Sequence, residues 1–313
     1  MNVYRSLEAY QPPPRPVVTI GTFDGVHEGH KTILRRLNQV AREIGGESLL
    51  LTFWPHPRMV LDPPDENLRL LNTIEEKMAH LKEAGLQNLL MLPFTDRFSK
   101  TSPYNFIRDV LAEGIRVRYL IIGYDHRFGR KREGSLDTLK QYAPEFGYEL
   151  EEIPAHNIDE ATVSSTKIRK ALLEEGDIRT ANAYLGYAYS LTGEVVSGDQ
   201  LGREMGYPTA NISVPEWYKL VPADGVYAVT AQVWGNRYQG MLNIGNRPTV
   251  NGRHRRIEVN LFDFKWDIYG ENMTVYFHAY LRDQVKFEDM AQLRQQLDQD
   301  RADAIAALKD IAL

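Results

Sequence analysis

Short apolar runs alternate with helix-period patterns through the first half of the chain. Val17–Ile20 reads as a buried strand, and Ile33, Leu34, Leu37, Val40, Ala41 and Ile44 then recur on one helical face. Leu49–Phe53 predicts a second strand, followed by a helix marked by Ile74, Met78 and Leu81. Leu89–Leu92 leads to helical Phe106, Ile107, Val110 and Leu111; Tyr119–Ile122 leads to a looser helix around Leu136, Leu139 and Tyr142. Glu149–Ile153 is the fifth strand expected, and Ile168, Ala171 and Leu172 mark a last helix. This alternation predicts a parallel sheet with helices on both faces, a Rossmann-like α/β domain.

The rhythm changes near Tyr184. Leu191–Val196, Val226–Trp234, Met241–Ile244, Ile257–Phe262 and Met273–Leu281 are strand-like. Turn formers punctuate them: Ser197-Gly198-Asp199, Asp224-Gly225, Gly235-Asn236, Gly245-Asn246 and Asn251-Gly252. An all-β antiparallel sheet or barrel is expected, closed by a helix with Phe287, Met290, Leu293 and Leu297 on one face. The expected domains are 1–183 and 184–313. A length of 313 residues fits two domains at roughly 100–200 residues each.

Composition narrows the chemistry. The chain has no cysteine, which excludes disulfides and thiolate metal sites and leaves oxygen or imidazole ligands. A net charge of -5 gives no sign of a nucleic-acid surface. No apolar run approaches the roughly 20 residues that span a bilayer, and the polar N-terminus does not read as a secretory signal. A soluble cytoplasmic protein is expected, with neither a membrane nor an obligate protein partner.

The sharpest motif is Gly21-Thr22-Phe23-Asp24-Gly25-Val26-His27-Glu28-Gly29-His30, between the first strand and the first helix. Amides at a helix N-terminus attract an anion, Gly21 and Gly29 permit close backbone approach, and imidazoles can donate to phosphoryl oxygens. The bland alternative is a pair of ordinary loop histidines. Its place at the end of the first strand, where open α/β sheets bind ligands, favours the site. Ser164-Ser165-Thr166-Lys167-Ile168-Arg169 also precedes a helix. One of its hydroxyls is expected to cap that helix, while the others and the basic side chains suit a triphosphate.

In the second half, Gly198, Gly202 and Gly206 with Arg203 lie in a loop that runs into Pro208-Thr209-Ala210-Asn211. Such a loop can cradle phosphate or simply turn the chain. Thr209 and Asn211, two apart on an extended segment, face one side, and oxygen donors of that kind suit magnesium carried with a nucleotide. Glu258 alternates with Ile257 and Val259 and shares a face with Asn260. By spacing alone it is a solvated strand carboxylate.

These motifs resemble two known modules. His27 to His30 and Ser164 to Arg169 resemble the nucleotidylyltransferase superfamily. Thr52-Phe53-Trp54-Pro55-His56-Pro57 and Gly123-Tyr124-Asp125-His126-Arg127-Phe128-Gly129 look like the bifunctional bacterial riboflavin kinase/FAD synthetase family. Pro208–Asn211, Asn243–Thr249 and the Glu258 strand resemble its riboflavin kinase module. Thr22 stands where that family often has asparagine, and His126 where phenylalanine is frequent.

The resemblance implies an ATP-dependent phosphorylation of riboflavin to FMN and an adenylylation of FMN to FAD. It assigns His27 and His30 to the adenylyl phosphate. Gly21, Asp24, Gly29, Ser164, Ser165, Thr166 and Arg169 go to ATP, and Asp125 to flavin. Phe53, His56 and Phe128 are candidates for flavin contact because an aromatic face suits a flat ring, with core packing the plainer role for either phenylalanine. In the kinase half it assigns Gly198, Gly202, Arg203, Gly206 and Pro208 to ATP, and Thr209 and Asn211 to Mg2+. Glu258 is then the base, and Arg282 and Phe287 the flavin side. The alternatives are a different nucleotidylyltransferase fused to an unrelated barrel, and a flavin-binding protein without catalysis.

Overall fold

The computed structural model describes residues 1–61, 67–124, 126–154, 163–198, 205–249 and 252–312. The chain divides into two compact units, Met1–Ser165 and Thr166–Leu313.

In the first unit six parallel strands form one sheet in the order β1-β4-β3-β2-β5-β6. They are β1 (Asn2–Tyr4), β2 (Pro16–Ile20), β3 (Glu47–Trp54), β4 (Asn88–Pro93), β5 (Tyr119–Gly123) and β6 (Glu149–Ile153). Alternate side chains feed two cores, as the period of a strand requires. Val18, Leu49, Leu51 and Leu120 face Ile107, Leu111 and Leu139. Val17, Leu50, Leu89 and Ile121 face Leu34, Leu37 and Leu81. Helices therefore cover both sheet faces: Glu28–Glu43 and Ile74–Glu83 on one, the π-helical Phe106–Ile115 and Leu136–Phe146 on the other. From β2 the order runs outward through β3 on one side and β5 on the other. The loop after β2 thus leaves the sheet at its topological switch point.

The five expected strands are present, and β1 is a sixth. Its three residues carry no apolar run; pairing against β4, with the Asn2 amide donating to Asn88 Oδ1 at 3.1 Å, makes it a strand.

The second unit begins at Thr166, inside helix Ser165–Lys170, and continues with the π-turn Ala171–Glu175 and helix Ile178–Leu185. A closed antiparallel barrel follows in the order β10-β11-β8-β7-β12-β9. Its strands are β7 (Ser190–Val196), β8 (Ala210–Ser213), β9 (Gly225–Val233), β10 (Asn236–Thr249), β11 (Gly252–Leu261) and β12 (Asn272–Arg282).

Two expectations need correction here. Gly245-Asn246 is not a turn but lies inside β10, where Gly245 pairs with Arg256. A Cβ at Gly245 would meet the Gln284 amide, the movable end of a side chain. The closing helix spans Met290–Ala307, capped by Asp289, so Phe287 precedes it and Met290 is exposed. Its inward face holds Leu297, Asp300, Ala304 and, just past its end, Leu308.

Among the described residues no helix is long and apolar enough to cross a membrane.

Candidate active sites

The loop from Gly21 to His30 leaves β2 in a bent form. Gly21 N–H donates to the Leu51 carbonyl at 3.1 Å, and the backbone then takes positive φ at Phe23 (48°) and Val26 (37°). A β-branched residue in that region is strained, and strain of this kind persists only where the surroundings impose it. His27 ends the loop as the N-cap of helix Glu28–Glu43, its Nδ1 accepting the His30 N–H at 3.4 Å.

The two imidazoles stack, with centroids 3.7 Å apart and planes at 16°, and Phe23 covers the other face of His30 at 4.5 Å. Since His27 Nδ1 accepts a hydrogen bond, neutral His27 carries its proton on Nε2 and is a donor there. His30 keeps some surface open, yet dense packing holds its pKa well below the ordinary value, with the His27 and Lys77 charges adding to the effect. At neutral pH His30 is therefore neutral. A neutral imidazole can donate a hydrogen bond to a phosphoryl oxygen without first losing the hydration of a cation.

Beneath the loop sits a group that sequence reasoning missed. Lys77, 4% exposed on helix Ile74–Glu83, donates from Nζ to the Thr22 carbonyl at 2.8 Å. Burial lowers its pKa, and the Asp24 carboxylate opposes that shift. Asp24 is itself buried, its Oδ1 accepting Leu71 N–H at 2.9 Å. A signal was present: Ile74, Lys77 and Leu81 fall on one helical stripe, so the lysine occupies a core position. Ser165 Oγ donates to the Asp24 carbonyl at 2.9 Å, which brings this serine to the histidine loop. Ser164 is half-buried beside it; Thr166 and Arg169 fall after the division between the units.

Of the flavin candidates, Phe53 packs against Phe94 and Phe98 with centroids 5.7 and 5.5 Å away. Phe128 is buried, bridges to Gly134 and stacks on His126 at 5.9 Å. His56 caps a short helix through Nδ1, which accepts Arg58 N–H at 3.2 Å. Asp125 lies outside the described residues.

In the barrel, register does the assembling. Asn211 of β8 lies opposite Glu258 of β11, and Glu258 lies opposite Asn243 of β10. Directly paired residues of antiparallel strands share a face, so Asn211, Glu258 and Asn243 stand in one row. Asn211 is 9% exposed and Glu258 is half-buried. Gly198 packs so close that a Cβ there would stand 2.1 Å from the Asn211 amide. Asn243 Oδ1 accepts from Gln284 Nε2 at 2.7 Å.

The approach to Thr209 is braced from two sides. Asn260 Nδ2 donates to the Pro208 carbonyl at 2.7 Å, and the Tyr207 hydroxyl bonds to Asp298 of the closing helix. Thr209 itself is half-buried just before β8, and Gly206 and Pro208 are exposed. Gly202 and Arg203 lie outside the described residues. Arg282 forms a fork to Asp300, Nε to Oδ1 and Nη2 to Oδ2, each at 2.7 Å, and its guanidinium lies 5.9 Å from the Phe287 ring.

The chain matches two family models: FAD synthetase over residues 10–167 and riboflavin kinase over residues 185–308. Among curated proteins it is 36% identical to the bifunctional riboflavin kinase/FMN adenylyltransferase of Listeria monocytogenes, over 93% of this chain and 91% of that one. The protein of the same name from Escherichia coli is 34% identical, over 97% of each chain. A solved structure described as a macrolide-efflux protein from Streptococcus pneumoniae superposes with a TM-score of 0.87 at 32% identity, over 96% of this chain and 97% of the other. That description is of the pneumococcal protein; the family models and these curated relatives name the flavin activities.

Proposed function

The chain belongs to the family of bifunctional riboflavin kinases/FMN adenylyltransferases, and on that premise we propose which residues carry each of its two reactions. The family transfers a phosphate from ATP to riboflavin, giving FMN, and an adenylyl group from ATP to FMN, giving FAD and pyrophosphate.

For adenylylation, the FMN phosphate attacks the α-phosphorus of ATP. His27 and His30 donate hydrogen bonds to the α-phosphoryl oxygens as charge builds there. Gly29, in the first turn of the helix, brings its backbone close to the phosphates, Gly21 lets the chain approach them, and Ser165, donating to the Asp24 carbonyl, holds the loop with Ser164 beside it. Asp24 shapes the loop through Leu71 and Ser165. Phe53, His56 and Phe128 form the flavin side of this reading.

For phosphorylation, Glu258 accepts the proton of the ribityl hydroxyl as that oxygen attacks the γ-phosphorus. Among the described residues no group of three or more His, Asp or Glu side chains could hold a metal ion. The donors on offer, the Thr209 hydroxyl and the Asn211 amide oxygen, are neutral. They fit a magnesium ion that keeps water and phosphate as its other ligands. Thr209 and Asn211 would hold that ion, which would neutralise charge on the ATP phosphates. The backbone of the loop ending at Gly206 and Pro208 meets ATP, and Arg282 and Phe287 border the flavin.

One observation carries this reading beyond the family match: barrel register sets Asn211 and Glu258 opposite one another. That supports a kinase site rather than an unrelated barrel appended to a nucleotidylyltransferase. Riboflavin, FMN, FAD and ATP are its small-molecule partners, and the reading puts the enzyme in the cytoplasm.

Incubating the protein with riboflavin, ATP and magnesium, then separating flavins by chromatography, should yield FMN and FAD. With FMN supplied, His30→Ala should lose FAD formation yet still phosphorylate riboflavin; Glu258→Gln should do the reverse. Both variants losing both products would refute the assignment to two sites.

A further inference from the structure

A buried lysine is costly unless its charge is used, because the ammonium gives up its hydration. Lys77 occupies a core position of helix Ile74–Glu83 that an apolar side chain would fill at no such cost. Its Nζ instead meets the Thr22 carbonyl at 2.8 Å, one residue before the first positive φ of the histidine loop. Its charge is balanced by Asp24, on the other side of that residue, and is felt by His30.

We infer that Lys77 is a positioning residue for adenylyl transfer: bonded to the Thr22 carbonyl, it holds the strained loop bent and fixes a positive charge behind the stacked imidazoles. The inference rests on the assignment of His27 and His30 to adenylylation. It adds a residue that acts through the loop, not on the substrate. Phosphate approaching the loop meets a site whose charge is already in place, so little reorganisation is needed on binding. A loop held at Thr22 also keeps Phe23 over the His30 ring, which sets the plane in which the imidazole can donate.

The pH behaviour separates this role from simple packing. The ionisable groups acting on His30 are His27 on its own helix and Lys77 from the neighbouring helix, with Asp24 acting on Lys77. Burial is the largest cause of the lowered His30 pKa, and the Lys77 charge lowers it further. Removing that charge therefore raises the His30 pKa, and any rate inflection due to His30 moves to higher pH.

The test uses the full chain with Lys77→Met, which loses both charge and donor, and Lys77→Gln, which keeps an N–H donor without charge. With FMN, ATP and magnesium, Lys77→Met should lower kcat for adenylylation on the order of 100-fold, the scale expected when a catalytic group is displaced by about 1 Å. Riboflavin phosphorylation by the same samples should be unchanged. Lys77→Gln should retain part of the lost rate. In both variants the His30 imidazole resonance, assigned by comparison with His30→Ala, should titrate at higher pH than in the parent.

Wild-type kcat in Lys77→Met, loss of both reactions together, or an unmoved His30 titration would overturn the inference. Should Lys77→Met not fold, Lys77→Gln with wild-type kcat and titration overturns it equally. The His30→Ala control keeps the two claims apart. Full adenylylation in that variant refutes the histidine assignment, whereas its loss beside unaffected Lys77 variants refutes the role of Lys77 alone.

Discussion

Asp300 sits on the face of helix Met290–Ala307 that meets the barrel, 2% exposed, with both carboxylate oxygens taken by Arg282. Gln296 adds a third bond, to Oδ1, at 2.9 Å. Removing Asp300 leaves the partly exposed Arg282 guanidinium without the carboxylate that both its forked bonds reach. Asp300→Ala should therefore destabilise the second unit by roughly 3 kcal/mol, the low end of the range for buried pairs because Arg282 keeps some exposure. Denaturant unfolding checks this, and a change below about 1 kcal/mol would show that the fork is a surface-type pair. Asp300 and Lys77 share a lesson. Each is an ionisable residue at an apolar helix position, visible in the sequence as a break in the stripe. Which partner it meets, Arg282 or the Thr22 carbonyl, depends on chain far away in sequence.

At the scale of elements, helix Glu28–Glu43 begins on a residue with two duties. His27 caps the helix through Nδ1 while its ring stacks on His30. The duties can be separated, because asparagine is among the best N-caps but has no imidazole. His27→Asn should keep the first unit's stability within about 0.5 kcal/mol and still lose FAD formation. His27→Ala should lose both the activity and about 0.5–2 kcal/mol of stability. Thermal or denaturant unfolding, read beside FMN adenylylation, distinguishes them; full activity in His27→Asn would make His27 a cap and nothing more.

Element boundaries were the least legible part of the sequence. Val17–Ile20, Leu89–Leu92 and Tyr119–Ile122 are apolar because both faces of a central parallel strand are covered, so their composition announced them. β1 and the far half of β10 are polar or irregular, and only their pairing makes them strands.

At the scale of the whole molecule, helix Ile178–Leu185 lies within the second unit. Asn182 donates to the Phe277 carbonyl and accepts from Tyr189 N–H, each at 2.8 Å, and Gly176 packs against the Tyr280 ring. A fragment beginning at Thr166 should therefore phosphorylate riboflavin unaided. One beginning at Tyr187 forfeits both hydrogen bonds, worth about 0.5–1.5 kcal/mol each, and the burial of Ile178, Ala181 and Leu185. Its thermal midpoint should be lower. Equal midpoints would mean that the helix adds nothing to the barrel.

The sequence by itself determined that two units of different architecture follow one another, since strand and helix periods are local properties of a chain. It also carried the motifs: two histidines at a helix start, the threonine and asparagine two apart, and a glutamate on an alternating strand. Tertiary structure alone decided that Asn211, Glu258 and Asn243 stand abreast and that a lysine backs the histidine loop. Strand register and helix docking pair residues far apart in the chain. The free energy that selects them comes from burying whole faces, which no local window of sequence contains.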